Sequence, residues 1–288
     1  RRYPKATRTL ILDGVINPVQ VLGPAIAIDA ERALDRILKR CSNDASCAKA
    51  FGDPQADYRT LRDALTAQPV RAVVAEAATG RPINFDFTPR HLSAVLRFAS
   101  YNDDQAALLP LSLHLAVHEG NYTPLANQFR VFAHSLEEAF AYGMHNSVAC
   151  SEDTPLIDAA RLDRTSLAAT HMGALQVEQL IEACADWPKG VVDADLHAPL
   201  KSAAAALLLS GADDPVTPPE YATLAQRAFA DSKHVIVAGH GHGQLGAPCV
   251  DRVIANFIKA GSAKDLDARC TEKLAPMPFF TTLAGPAP

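Results

Sequence analysis

Leu207-Leu-Leu-Ser-Gly-Ala-Asp-Asp-Pro-Val-Thr-Pro-Pro219 decides the reading of this chain. A strand-sized apolar run enters Gly211, and two aspartates follow, held at a tight turn by Pro215. In an open parallel sheet the groups that do chemistry sit just past the carboxyl ends of the strands. A carboxylate there can accept a hydrogen bond from an imidazole, fixing its tautomer and stabilising its protonated form. Such an imidazole comes 28 residues after Asp214, in Ala238-Gly-His-Gly-His-Gly-Gln244, directly behind the apolar run His234–Ala238. Glycines on both sides of the histidines let that loop bend and expose a ring.

Working outward, Thr9–Asp13, Ala204–Ser210 and His234–Ala238 read as buried parallel strands. The last two are followed by helical patterns at Pro219–Ala230 and Pro248–Ala260. Strand, loop and helix in repetition predict an α/β fold with a mostly parallel, doubly wound sheet. Three core strands are few for such a sheet, and the remainder is expected upstream of Arg1, where residues Arg1–Thr7 read as a helix end. Between the first two strands lies a long, mainly helical stretch, with helices expected at Ala27–Arg40, Tyr58–Ala67, Arg90–Ser100, Gln105–His118 and Tyr122–Ala139. Arg71–Ala77 and Ile83–Phe87 read as a strand pair around Ala78–Pro82, and Gly120-Asn121 as a corner between helices. The expected organisation is a core strand in residues 1–16, a cap insertion in 17–199, a C-terminal core in 200–270 and a loose tail in 271–288.

With 288 residues, 48% hydrophobic and 20% charged, the chain can bury a sizeable core. A net charge of −5 without a basic cluster argues against a nucleic-acid partner. No apolar stretch reaches the ~18 to 20 residues of a membrane span. The first residue is Arg1 rather than Met, so processing, a boundary or a longer parent polypeptide is expected.

Six cysteines permit three disulfides. Spacing favours Cys41 with Cys47 and Cys249 with Cys270, the latter bracketing one helix; Cys150 and Cys184 then pair by elimination. The alternative is six buried thiols in a cytosolic protein. Disulfides imply export, to the periplasm or outside the cell. No cysteine pair has the spacing of a zinc knuckle, and neither metal nor cofactor is implied.

An acid after one strand and a histidine after the next follow the serine, acid, histidine order of α/β-hydrolases. The run from Leu208 to Pro219, the Gly241-His242-Gly243 loop and the helix bounded by Cys249 and Cys270 resemble the C-terminal region of tripeptidyl aminopeptidases, relatives of the proline iminopeptidases. Arg2-Tyr-Pro4 with Leu10-Ile-Leu-Asp-Gly-Val15 resembles the segment immediately after that family's nucleophile helix, and Cys150-Ser-Glu-Asp and Cys184-Ala-Asp-Trp-Pro188 resemble parts of its cap. The resemblance implies a partial α/β-hydrolase fold and a secreted serine exopeptidase acting on peptides with free N-termini. It assigns the acid to Asp214, with Asp213 an exposed neighbour, and the base to His242, with His240 as the alternative. The other eight histidines are taken as ordinary core or surface imidazoles.

The chain departs from the family at the nucleophile: no Gly-x-Ser-x-Gly occurs. The resemblance therefore places the serine upstream of Arg1 and predicts that residues 1–288 are inert alone. It also implies that Glu152 binds the substrate's α-amine. The competing reading makes Glu152 solvated beside a helix start at Pro155, capped by Ser151, Asp153 or Thr154. Trp187 is expected to pack against Cys184. An esterase or other small-molecule hydrolase with the same triad, and a non-catalytic binding domain, remain as rival functions. The residues do not specify an oligomeric state.

Overall fold

A computed structural model describes residues 1–76 and 79–286. Along the chain lie β1 (Thr9–Asp13), α1 (Ile26–Asn43), α2 (Ala45–Phe51), α3 (Pro54–Ala67), β2 (Val70–Ala75) and β3 (Pro82–Phe87). Then come α4 (Pro89–Ala99), α5 (Asp103–Glu119), α6 (Thr123–Ala139), α7 (Tyr142–Glu152), α8 (Arg164–Ala168) and α9 (Leu175–Ala185). The C-terminal part holds β4 (Ala205–Gly211), α10 (Pro219–Gln226), β5 (Ser232–Val237), α11 (Val250–Ala260), β6 (Phe280–Thr282) and β7 (Gly285–Pro286). These elements divide into two compact units, Arg1–Ala30 with Ala141–Pro276 and Glu31–Phe140 with Met277–Pro288.

The first unit is built on a parallel sheet of order β1-β4-β5, with Asp13 opposite Leu209 and Gly211 opposite Val237. All of β4 is buried, as a central strand covered on both faces must be. Its side chains alternate between two cores. Ala205, Leu207 and Leu209 pack with Val235, Val237, Val253 and Phe257 on the α11 side. Ala206 and Leu208 pack with Ala222, Ala225 and Phe229 on the α10 side. Each fully buried leucine contributes roughly 2–3 kcal/mol by area, which is why an Ala/Leu run forms this strand. The result is a mixed α/β architecture compatible with an α/β-hydrolase, and both site loops emerge at one end of the sheet.

The second unit is mainly helical, with β2 pairing antiparallel with β3 and β6 with β7. Leu61, Leu65, Phe87, Leu92, Leu96, Leu109, Leu113 and Leu125 form its main core. Gly120 ends α5 at φ 63°, the left-handed conformation glycine adopts without strain, so the expected corner forms there. Ala77 and Ala78 of the expected strand pair lie outside the described residues.

Three segments differ from the sequence reading. Arg1–Thr7 contains a turn, with the Ala6 N–H on the Tyr3 carbonyl, rather than a helix end, because Pro4 at the second position presets a β-turn. Within its described residues, 271–286, the last segment is not loose, and residues 287 and 288 of that expected tail lie outside the described residues. Phe279 is buried with Ile37, Cys41, Phe51 and Leu111, Arg40 lies over its ring, and β6 pairs with β7. Residues 141–199 group with the sheet rather than with the helical insertion. They are tied there by Arg1 to Asp195, Arg2 to Asp193, and contacts to the β1–α1 loop described below.

Candidate active site

The acid loop begins at Gly211, where β4 ends. A Cβ on Gly211 would lie 1.9 Å from the Gly241 carbonyl and 2.4 Å from that of His240, so only glycine lets the two loops meet. Backbone hydrogen bonds join them, from Ala212 N–H to Val237 and from Asp213 N–H to His240. Beyond, the Asp214 carboxylate folds back on its own loop. Its Oδ1 accepts from the N–H groups of Val216 and Thr217, both at 2.8 Å. This is the local turn an aspartate before proline favours.

The Asp214 Oδ2 accepts from the Thr217 hydroxyl at 2.8 Å and from His242 Nδ1 at 2.9 Å. Asp214 is wholly buried, whereas the His242 side chain is 35% exposed. Burial pushes the Asp214 carboxyl up, but the hydrogen bond and charge of His242 and the N–H groups of Thr217 and Val216 outweigh it, holding the group below the ordinary carboxylate value. An ionised carboxylate only accepts, so Nδ1 of His242 carries the hydrogen and Nε2 is the nitrogen that can take a proton. A buried acid orienting a more exposed imidazole is an arrangement suited to general-base chemistry.

Asp13, the last residue of β1, and Gly14, just beyond it, complete the setting, and the sequence reading missed both. The Asp13 Oδ2 accepts the N–H groups of Gln244 (2.7 Å) and Leu245 (3.1 Å), fastening the histidine loop to the sheet. Gly14, at φ 66°, backs onto the imidazole: a Cβ there would lie 2.7 Å from His242 Cε1. Thr217 was also missed; its hydroxyl is 3.2 Å from His242 Nδ1 as well as bonded to Asp214. The signals were present, in a strand ending Asp-Gly and in the Thr of Pro-Val-Thr-Pro.

Asp213 is buried, not the exposed neighbour expected, because its loop is pressed under the histidine loop. Ser210 is also fully buried, 2.9 Å from His234 Nε2 within the sheet, and burial pushes the His234 imidazole down. Neither Ser210 nor Ser135, which lies within α6, stands at a strand-to-helix elbow.

Glu152 is the last residue of α7. The helix start expected at Pro155 is only a single 3-10 turn, Thr154–Leu156, without a side-chain cap. Asp153 instead accepts from Leu22 N–H at 2.8 Å, and His197 bridges the carbonyls of Pro18 and Glu152, each at 2.8 Å. The loop that starts at Gly14, against His242, is thus clamped to the end of α7. Trp187 donates to the Ser147 hydroxyl at 3.3 Å.

All six cysteines are paired, Cys41–Cys47, Cys150–Cys184 and Cys249–Cys270. The Cys150–Cys184 bridge joins α7 to α9 two residues before Glu152. No helix among the described residues is long and apolar enough to cross a membrane.

The mixed α/β fold with its parallel sheet is compatible with an α/β-hydrolase, and one family comparison points the same way. A sequence profile of a family described as TAP-like protein matches residues 169–270, about a third of the chain. Over that segment, which contains Asp214, His242, Cys184 and the Cys249–Cys270 bridge, the chain is similar to the TAP-like α/β-hydrolases. No curated protein matches the chain.

Proposed function

We propose that residues 1–288 supply the acid and the base of an exported serine exopeptidase that cleaves peptides from free N-termini. The observation that carries the reading is the 2.9 Å contact between buried Asp214 and His242, at the ends of adjacent parallel strands and inside the segment similar to TAP-like hydrolases. In this reading His242 Nε2 removes the proton from a serine as it attacks the scissile carbonyl. The imidazolium, held by Asp214, returns that proton to the departing amine, and the second half-reaction repeats the exchange with water. Backbone amides hold the oxyanion.

The serine lies on a neighbouring strand outside residues 1–288, beside β1. Two observations support this: the sequence has no Gly-x-Ser-x-Gly, and among the described residues β1 pairs with β4 alone. Glu152 binds the substrate's α-amine. Support comes from its carboxylate charge, the adjacent disulfide, and the clamp linking the end of α7 to the loop that begins at Gly14. Three disulfides support an exported protein.

The test joins residues 1–288 to the coding sequence ahead of Arg1 and compares a free-amine peptide anilide with its N-acetyl form and a simple ester. Cleavage restricted to the free amine, lost in Glu152→Gln, is expected. Equal rates on free and blocked peptides overturn the exopeptidase reading, and turnover of the ester alone replaces it with an esterase.

A further inference from the structure

The helical unit contains a cluster that the hydrolase reading does not use. Asp57 lies in the first turn of α3 with its carboxylate side chain only 9% exposed. His114 and His118 stand one turn apart on α5, a spacing that puts both imidazoles on the same helix face. His114 Nδ1 is 3.3 Å from Asp57 Oδ2, and His118 Nε2 is 2.8 Å from Asp57 Oδ1. The two imidazole centroids are 4.3 Å apart, and one donor atom from each of the three residues lies within 4.8 Å of the others.

We propose that Asp57, His114 and His118 bind a divalent first-row transition-metal ion of the Zn(II) type. Bonds of about 2.0–2.1 Å to nitrogen and oxygen place tetrahedral ligand atoms roughly 3.3 Å apart, close to the 3.3 and 2.8 Å between Asp57 and the two imidazoles. Two imidazoles and a carboxylate favour zinc, nickel, cobalt or copper over calcium or magnesium, which take mostly oxygen ligands. The scaffold is rigid where it matters. Leu61 and Leu65 of α3 pack with Leu109 and Leu113 of α5, and Phe51 lies against the His114 ring at 5.2 Å. His118 is the more exposed member, its side chain 51% exposed, so a bound ion keeps a solvent-facing position for water. The ion would clip α3 to α5. None of its ligands is Asp214, His242 or Glu152, so its test stands or falls apart from the peptidase reading.

The experiment uses the full chain stripped with chelator and titrated with Zn(II) by calorimetry and with Co(II) by visible absorption. One equivalent of each ion is expected, with Co(II) bands of a low-coordinate nitrogen–oxygen site and a raised melting temperature of the helical unit. His118→Ala changes a half-exposed side chain and should fold normally by circular dichroism while losing that equivalent. Asp57→Asn should lose it too, and His134→Ala, on an exposed face of α6, should keep it. Absence of a stoichiometric site in the wild-type chain, or Zn(II) binding unchanged in a folded His118→Ala, overturns the proposal and leaves a hydrogen-bonded clasp.

Discussion

Gly14 backs directly onto His242: a methyl group on its Cα would lie 2.7 Å from the imidazole Cε1 and 3.3 Å from Nδ1. The residue just after β1 therefore forms the wall against which the His242 ring is held. Gly14→Ala should turn the ring away from Asp214 and add the strain of a non-glycine residue at φ 66°, about 1–2 kcal/mol. Urea unfolding reads the loss of stability, and the His242 ring resonances read the displacement. Unchanged resonances would show that the loop yields instead.

Asp13 fastens the same loop from the other side. Asp13→Ala removes the acceptor for the Gln244 and Leu245 N–H groups, at a cost of about 1–3 kcal/mol for hydrogen bonds to a charged group. Asp13→Asn keeps an accepting oxygen and should restore most of it. Hydrogen exchange checks this: in Asp13→Ala those two amides should exchange faster, while the amides of β4 keep their protection.

Acidification should loosen the acid loop. The Asp214 carboxyl is held below its ordinary value of 3.8 in the folded state. Its contribution is complete at pH above the unfolded value and is lost as pH falls through the lower, folded one. Stability of the wild-type chain should therefore decline with acid below about pH 4. In Asp214→Asn that part of the slope disappears. Equal slopes below that point would mean that other carboxylates carry the acid response.

The disulfides should rank by the length of chain they close. Separations of 34, 21 and 6 residues for Cys150–Cys184, Cys249–Cys270 and Cys41–Cys47 correspond to roughly 4, 3 and 2 kcal/mol by loop entropy. Paired Cys→Ala variants, compared by urea unfolding, should follow that order.

Much of the sheet was legible because β4 is an apolar run ending in a glycine loop, as burial on both faces demands, while Val235 and Val237 mark the buried face of the partly exposed β5. The positions of the Asp214 and His242 loops could be read for a similar reason, since each follows its strand directly. What could not be read depends on packing between distant segments. Asp213 looked exposed beside a turn, yet the histidine loop covers it. The proline-rich tail looked loose, yet Phe279 finds a core formed by α1, α2 and α5. Asp13 and Gly14 revealed their role only once β1 lay beside β4. The His114 and His118 spacing was visible, but Asp57, 57 residues earlier, was not connectable without the fold.

The central claim is that His242, oriented by Asp214, is the base. Its most direct test is hydrolysis of a free-amine peptide anilide by residues 1–288 joined to the coding sequence ahead of Arg1, in wild-type form and as His242→Ala and His240→Ala. Loss of the base should lower turnover by about 10⁴-fold or more in His242→Ala, while His240→Ala, which keeps the backbone carbonyl on the Asp213 N–H, should retain most activity. Activity surviving in His242→Ala and abolished in His240→Ala would contradict the account.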